Sequence, residues 1–218
     1  MAEFIVHGIP GSPFVRSVLL CFEEKGVPYH LAAMAMGEHK KPEHMARHPF
    51  GRIPVLDHGD FRLYETQAIL RYIDELFPSP ALQPKDVKAR ARMNQLIGIS
   101  DWYVRTDISA AISRERIVVA LLLGGKPDEA KIAAALPAAE VCVRAIEKLM
   151  GAPFLVGDQL TIADLMMAPH ISYFAMSPEG KTMMGKGKLM QWLERMEARP
   201  SMQHTTLAKM REKMPKAA

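Results

Sequence analysis

Residues 4–26, FIVHGIPGSPFVRSVLLCFEEKG, decide how the chain begins to fold. The apolar run Phe4-Ile5-Val6 predicts a strand over 3–7, and Gly8, Pro10, Gly11 and Pro13 close it within a few residues. From Pro13 the period changes. Val15, Val18, Leu19 and Phe22 share one face of a helix over 13–25, and Gly26 is placed to stop it. Ser12 stands at the joint, directly before Pro13, a favoured pair for the start of a helix. Its hydroxyl can serve as a cap, or it can point into the groove at the strand ends, where open α/β sheets hold ligands.

Outward from that joint the alternation continues. Val27 to Ala33 predicts a second strand and 42–48 a polar helix. Ile53 to Leu56 and Phe61 to Leu63 predict two short strands around the hairpin signal DHGD. A helix from Thr66 to Leu76 follows, with Ile69, Leu70, Ile73 and Leu76 inward. The order βαβ, α, ββα is that of a thioredoxin-like domain. FPSPALQP, 77–84, is a Pro-rich break. Beyond it helices are predicted near 86–122, 128–149, 161–175, 187–198 and 202–212, with Pro178 read as punctuation. The expected organisation is an α/β thioredoxin-like domain over 1–78, a linker over 79–87 and an all-α helical domain over 88–218.

Composition narrows the function classes. With 49% hydrophobic and 24% charged residues the chain reads as a soluble globular protein. MAEFIVHG lacks the basic and apolar regions of a secretory signal, and the longest apolar run, IVVALLL at 117–123, is too short to cross a bilayer. Cys21 and Cys142 lie far apart and outside any CxxC, which points to a reducing compartment without a disulfide framework. A cytoplasmic protein with no membrane partner is expected. The net charge is +4, and the excess of Lys and Arg gathers after Met176. Those bases are spread over several predicted helices without interleaved aromatics, so a solvated face or attraction for an anionic small molecule is favoured over a nucleic-acid partner. His39, His44, His48 and His58 are irregularly spaced and lack Cys or clustered carboxylates, so no metal is expected. No His-Asp pair stands near Ser12 to make it a hydrolase nucleophile.

Three further stretches, EHKKPEHMARHPFGRIPVL (38–56), GDFRLYETQAILRYI (59–73) and LVGDQLTIADLMMAP (155–169), join Ser12 in a recognisable set. Together they resemble the glutathione S-transferase superfamily over essentially the whole chain, most closely the serine-type phi class, and a bacterial-type member is expected. The resemblance implies that Ser12 donates to the sulfur of glutathione as co-substrate. It implies a cis Ile53-Pro54 step whose Ile53 backbone pairs with the cysteinyl part. Glu65 would meet the γ-glutamyl ammonium and Thr66 the adjacent carboxylate. His39 and Lys40 would face the glycyl carboxylate, with Lys41 a rival in the same loop. Arg52, where glutamine is common, would pair with a ligand carboxylate or point outward. Arg16 would add positive potential near Ser12 or serve structure.

An apolar electrophile pocket is expected from Ile9, Phe14, Met34 and Met36 with Trp102, Tyr103 and Thr106. Phe50 resembles an anchor across a homodimer interface, with burial in its own domain as the rival. Thr161-x-x-Asp164 would be a structural capping box. The implied activity is conjugation of glutathione to hydrophobic electrophiles, with peroxidase, isomerase or dehalogenase chemistry open to the same thiolate. The alternative is a non-catalytic binding or regulatory member, as bacterial starvation regulators and translation-factor subunits resemble this architecture too.

Overall fold

The computed structural model describes residues 3–213. Its first unit begins with β1 (Phe4–Gly8), α1 (Pro13–Lys25) and β2 (His30–Ala33). A 3-10 turn, Glu38–Lys40, leads into α2 (Pro42–Met45), then β3 (Val55–His58), β4 (Phe61–Tyr64) and α3 (Thr66–Leu76). The four strands form one sheet in the order β2-β1-β3-β4. β1 runs parallel to β2 and antiparallel to β3, with Val6 opposite both Leu31 and Leu56. Phe4 and Val6 are buried together with Val15, Val18, Leu19 and Phe22 of α1 and Ile69, Leu70 and Ile73 of α3. This is the apolar stripe the sequence shows, except that Leu76, expected inward, is exposed at the last turn of α3, and it sets the start of α1 at the end of β1.

Several expected boundaries shift for local reasons. β2 starts at His30 rather than Val27, because Pro28 has no N–H to give a ladder. α2 ends at Met45 rather than 48, and β3 begins at Val55, past Pro54. The first unit reaches Leu82, beyond the expected 78. Buried Lys25 explains that extension: its Nζ donates to Asp74 Oδ1 at 2.5 Å, to the Phe77 carbonyl at 2.7 Å and to the Pro80 carbonyl. Asp74 Oδ1 also accepts from the Leu82 N–H at 2.8 Å, so the Pro-rich break is tied back onto α1 and α3.

Residues 199–213 group with this first unit, whereas the sequence predicts one helical domain over 88–218. α9 (Pro200–His204) and α10 (Leu207–Glu212) replace the single helix expected over 202–212. Arg199 makes a two-pronged ion pair with Glu24 of α1, at 2.8 and 2.6 Å. Arg16, only 3% exposed, donates to Thr205 Oγ1 and the Met202 carbonyl. Arg16 is therefore structural.

The second unit spans Gln83–Ala198. α4 (Val87–Ile99) continues as Ser100–Leu122, wound with the wider i→i+5 bonding of a π-helix. Ser100, Val104, Ile108 and Ile112 are buried at four-residue spacing along it. α5 (Glu129–Leu149), α6 (Ile162–Met176), α7 (Pro178–Met184) and α8 (Lys188–Glu197) complete the unit. Pro178 starts α7 rather than breaking a helix, since Ser177 caps it by accepting from the Gly180 N–H at 3.0 Å. Every residue of α6 from Ile162 to Phe174 is buried, the mark of a central helix. At its start the buried Asp164 carboxylate accepts from Thr161 N–H and hydroxyl at 2.8 Å each, Trp192 Nε1 at 2.8 Å and Leu155 N–H at 2.9 Å. Burial pushes this carboxyl upward, and the four donors oppose the rise. Among the described residues no helix is long and apolar enough to cross a membrane.

Candidate functional site

The short turn after β1 delivers Ser12 to the N-cap of α1, with φ −62° and ψ 129°. Its carbonyl accepts from Arg16 N–H at 2.9 Å and its N–H reaches the Ile9 carbonyl at 3.0 Å. Its hydroxyl makes no capping bond. Elsewhere the same position is used differently: Asp86, Asp128, Ser177 and Thr206 each accept from a first-turn N–H of their helices. Ser12 is partly exposed, and no acidic residue occupies the first turn of α1. A hydroxyl donor thus sits at the positive end of a helix whose dipole is not neutralised.

The chain's own sulfur is withdrawn from chemistry. Burial raises the Cys21 thiol far above its ordinary value and the Cys142 thiol to about 12. A thiolate reacting at neutral pH must therefore arrive with a ligand.

The segment from Glu38 to Thr66 brings most of the sequence-predicted binding residues close together. Gly51, at φ 55°, is closely approached: a Cβ there would lie 3.1 Å from the His39 carbonyl and 3.4 Å from Lys40 Nζ. That approach holds His39 and Lys40 beside the segment entering Ile53-Pro54, whose peptide bond is cis. Lys40 is exposed with no ion-pair partner among the described residues, whereas Lys41 lies 3.5 Å from Glu38. Arg52 is exposed at the side chain, while its carbonyl accepts from His44 Nε2 at 2.6 Å. Val55 opens the β3 ladder, so Ile53 stands just outside it.

Glu65 is the one non-glycine residue among those described with positive φ, at φ 72° and ψ 111°. Such a backbone costs about 1–3 kcal/mol and persists where surrounding structure over-determines it, often at ligand clamps. It is exposed, makes no side-chain cap, and turns the chain so that buried Thr66 begins α3. His48 is buried behind this group. Burial lowers its pKa, with Glu65 opposing and His44, Arg52 and Lys40 adding to the fall, so these charges lie within electrostatic reach of one another.

The residues expected to face an electrophile differ in exposure. Ile9 is 7% exposed and packs largely within the core of the first unit. Phe14 and Met34 are partly exposed and Met36 is exposed. In the second unit Trp102, Tyr103 and Thr106 are exposed on the long helix. Phe50 is 66% exposed, which removes burial in its own domain as its explanation. Among the described residues no group of three or more His, Cys, Asp or Glu is placed to hold a metal ion. The sequence did not flag His44 and His48 except as metal candidates; their burial against Arg52 and Tyr64 is a tertiary fact, foreshadowed only by i, i+4 spacing.

Known proteins are similar to this chain over most of its length. Residues 6–81 match the family model for the glutathione S-transferase N-terminal domain, and 102–200 the model for its C-terminal domain. Glutathione S-transferase 3 of Zea mays is 31% identical over 218 residues, covering 95% of each chain. Glutathione S-transferase F12 of Arabidopsis thaliana is 30% identical over 192 residues, covering 85% of this chain and 89% of the relative. The crystal structure of glutathione transferase F7 from Populus trichocarpa superposes with a TM-score of 0.82 at 26% identity, over 95% of this chain and 98% of that one. These relatives are plant proteins, so the expected bacterial-type membership finds no support in them.

Proposed function

The chain belongs to the glutathione S-transferase family, and from that premise we infer that it is a glutathione transferase whose Ser12 hydroxyl activates the bound thiol. The observation that carries the reading is that hydroxyl, held at a helix N-terminus and left out of the capping bond its position would allow.

Energetics show why both elements are needed. A thiol of pKa about 8.5 is only a few per cent ionised at neutral pH, and the thiolate is the nucleophile. Lowering that value by about two units takes roughly 2.7 kcal/mol of selective anion stabilisation. A helix N-terminus supplies about 0.3–1 kcal/mol. One hydrogen bond to a charged acceptor adds about 1.5–3 kcal/mol. Ser12 donates to the sulfur and attacks nothing itself; the thiolate attacks a hydrophobic electrophile, and the same anion suits a peroxide substrate. Lys40 and His39 face the glycyl carboxylate, with Arg52 beside them. Ile53 pairs through its backbone, while Glu65 and Thr66 take the γ-glutamyl end, where the free N–H groups of α3 receive the carboxylate. The protein acts in the cytoplasm as a homodimer, with exposed Phe50 at the contact.

Ser12→Ala tests the reading. The thiol pKa of the bound glutathione, followed by thiolate absorbance, should rise, and conjugation of chlorodinitrobenzene near neutral pH should slow by about 10- to 100-fold. Parent-like rates in that variant would reduce Ser12 to a helix-starting residue. If the parent neither binds immobilised glutathione nor turns over, the non-catalytic alternative takes its place.

A further inference from the structure

We propose that His44 and His48, one helical turn apart, are positioning residues that hold the two walls of the glutathione cradle in register. The proposal rests on the glutathione reading of that cradle.

His44 is 2% exposed, and its Nε2 lies 2.6 Å from the Arg52 carbonyl. A carbonyl only accepts, so His44 donates through Nε2–H. Its Nδ1 is buried and has no hydrogen-bond partner, which leaves that one bond as the polar function of the ring. The bond fixes the residue directly before Ile53-Pro54, the wall that offers backbone to the ligand. His48, also 2% exposed, stacks on Tyr64 with ring centroids 4.5 Å apart and planes 29° from parallel. Tyr64 directly precedes strained Glu65, so the stack steadies the second wall. The two imidazoles stand 6.4 Å apart, and the His48 N–H bonds to the His44 carbonyl at 2.9 Å. One turn of chain therefore braces residues 52–54 and 64–66 together. Neither ring is needed to touch the sulfur. Loss of either should weaken glutathione capture while the ionisation of bound thiol, set at Ser12, stays as it was.

Glutathione titrated calorimetrically into the parent and variants, with kcat and thermal melting alongside, tests this. His44→Phe keeps the ring but loses the donor, and should raise the Kd and KM for glutathione about 3- to 10-fold at unchanged kcat and unchanged bound-thiol pKa. His44→Gln, which restores an N–H at similar reach, should return to within about twofold of the parent. His48→Ala should weaken binding to a similar degree and His48→Phe, which can still stack, should not. If His44→Phe does not fold, His44→Asn serves, since its shorter amide cannot span the gap. Parent-like affinity in the folded donor-less variant, equal weakness of His44→Gln, or a fall in kcat with KM unchanged would each overturn the proposal. A parent that fails to bind glutathione would overturn it together with the proposed function; a parent that binds, with variants that bind equally, overturns it alone.

Discussion

Glu65 shows how one residue's backbone can mark a site that its side chain only suggests. Its φ of 72° is a conformation that favours glycine, yet glutamate occupies it. Glu65→Gly should therefore be more stable than Glu65→Ala by about 1 kcal/mol in urea or thermal unfolding, because only the glycine relieves the strain. Both should lose glutathione affinity, since both lack the carboxylate proposed to meet the γ-glutamyl ammonium. Equal stability of the two would show that the backbone is not strained at this position. The Glu65-Thr66 pair was legible as a helix opening; its positive φ was not, because residue type does not mark a non-glycine position for that region. Ser12 was ambiguous for a related reason. Local sequence leaves a capping and a ligand-facing hydroxyl both open, and the fold shows only that Ser12 makes no capping bond.

The start of α6 illustrates what an element requires. Asp164 was readable as the acidic partner of a capping box, and the box is present. Its further reach to Trp192 of α8 and to Leu155 was not readable, since those contacts depend on how helices pack. The capping role alone is worth about 0.5–2 kcal/mol. Removing a fully buried carboxylate that satisfies four donors costs more, so Asp164→Ala should lose about 3–5 kcal/mol by denaturant unfolding. Trp192→Phe removes one of the four bonds and should lose about 1–3 kcal/mol. A loss under 1 kcal/mol for Asp164→Ala would confine the residue to the cap. Thiol ionisation by glutathione bound to the folded fraction should not change, because Asp164 serves the second unit only.

Across the whole molecule, histidines whose pKa falls on folding work against stability in acid. His170, inside α6 and bonded to Ser109 Oγ at 2.7 Å, is pushed down to about 3, chiefly by burial and then by Arg105. Burial lowers His7, His39 and His48 as well. Between the unfolded value near 6.5 and these lower folded values, the unfolded chain binds protons that the folded chain refuses, so folding stability falls as pH falls. Each such group contributes a slope of up to about 1.4 kcal/mol per pH unit. Unfolding free energies of the parent should drop steadily below pH 6.5, and His170→Asn should flatten the drop measurably between pH 6 and 4; an unchanged slope would show that His170 takes up a proton in the folded state. By itself the sequence determined the order of strands and main helices up to α3, the apolar faces of α1 and α3, the hairpin and the cap of α6, because these are set by period, turn chemistry and neighbouring side chains. The tertiary structure alone decided that Arg199 pairs with Glu24 of α1, that Arg16 and Ile9 are buried, and that buried His44 and His48 meet Arg52 and Tyr64. Those outcomes depend on which distant groups come within hydrogen-bond or van der Waals reach, and chain spacing carries no such distances.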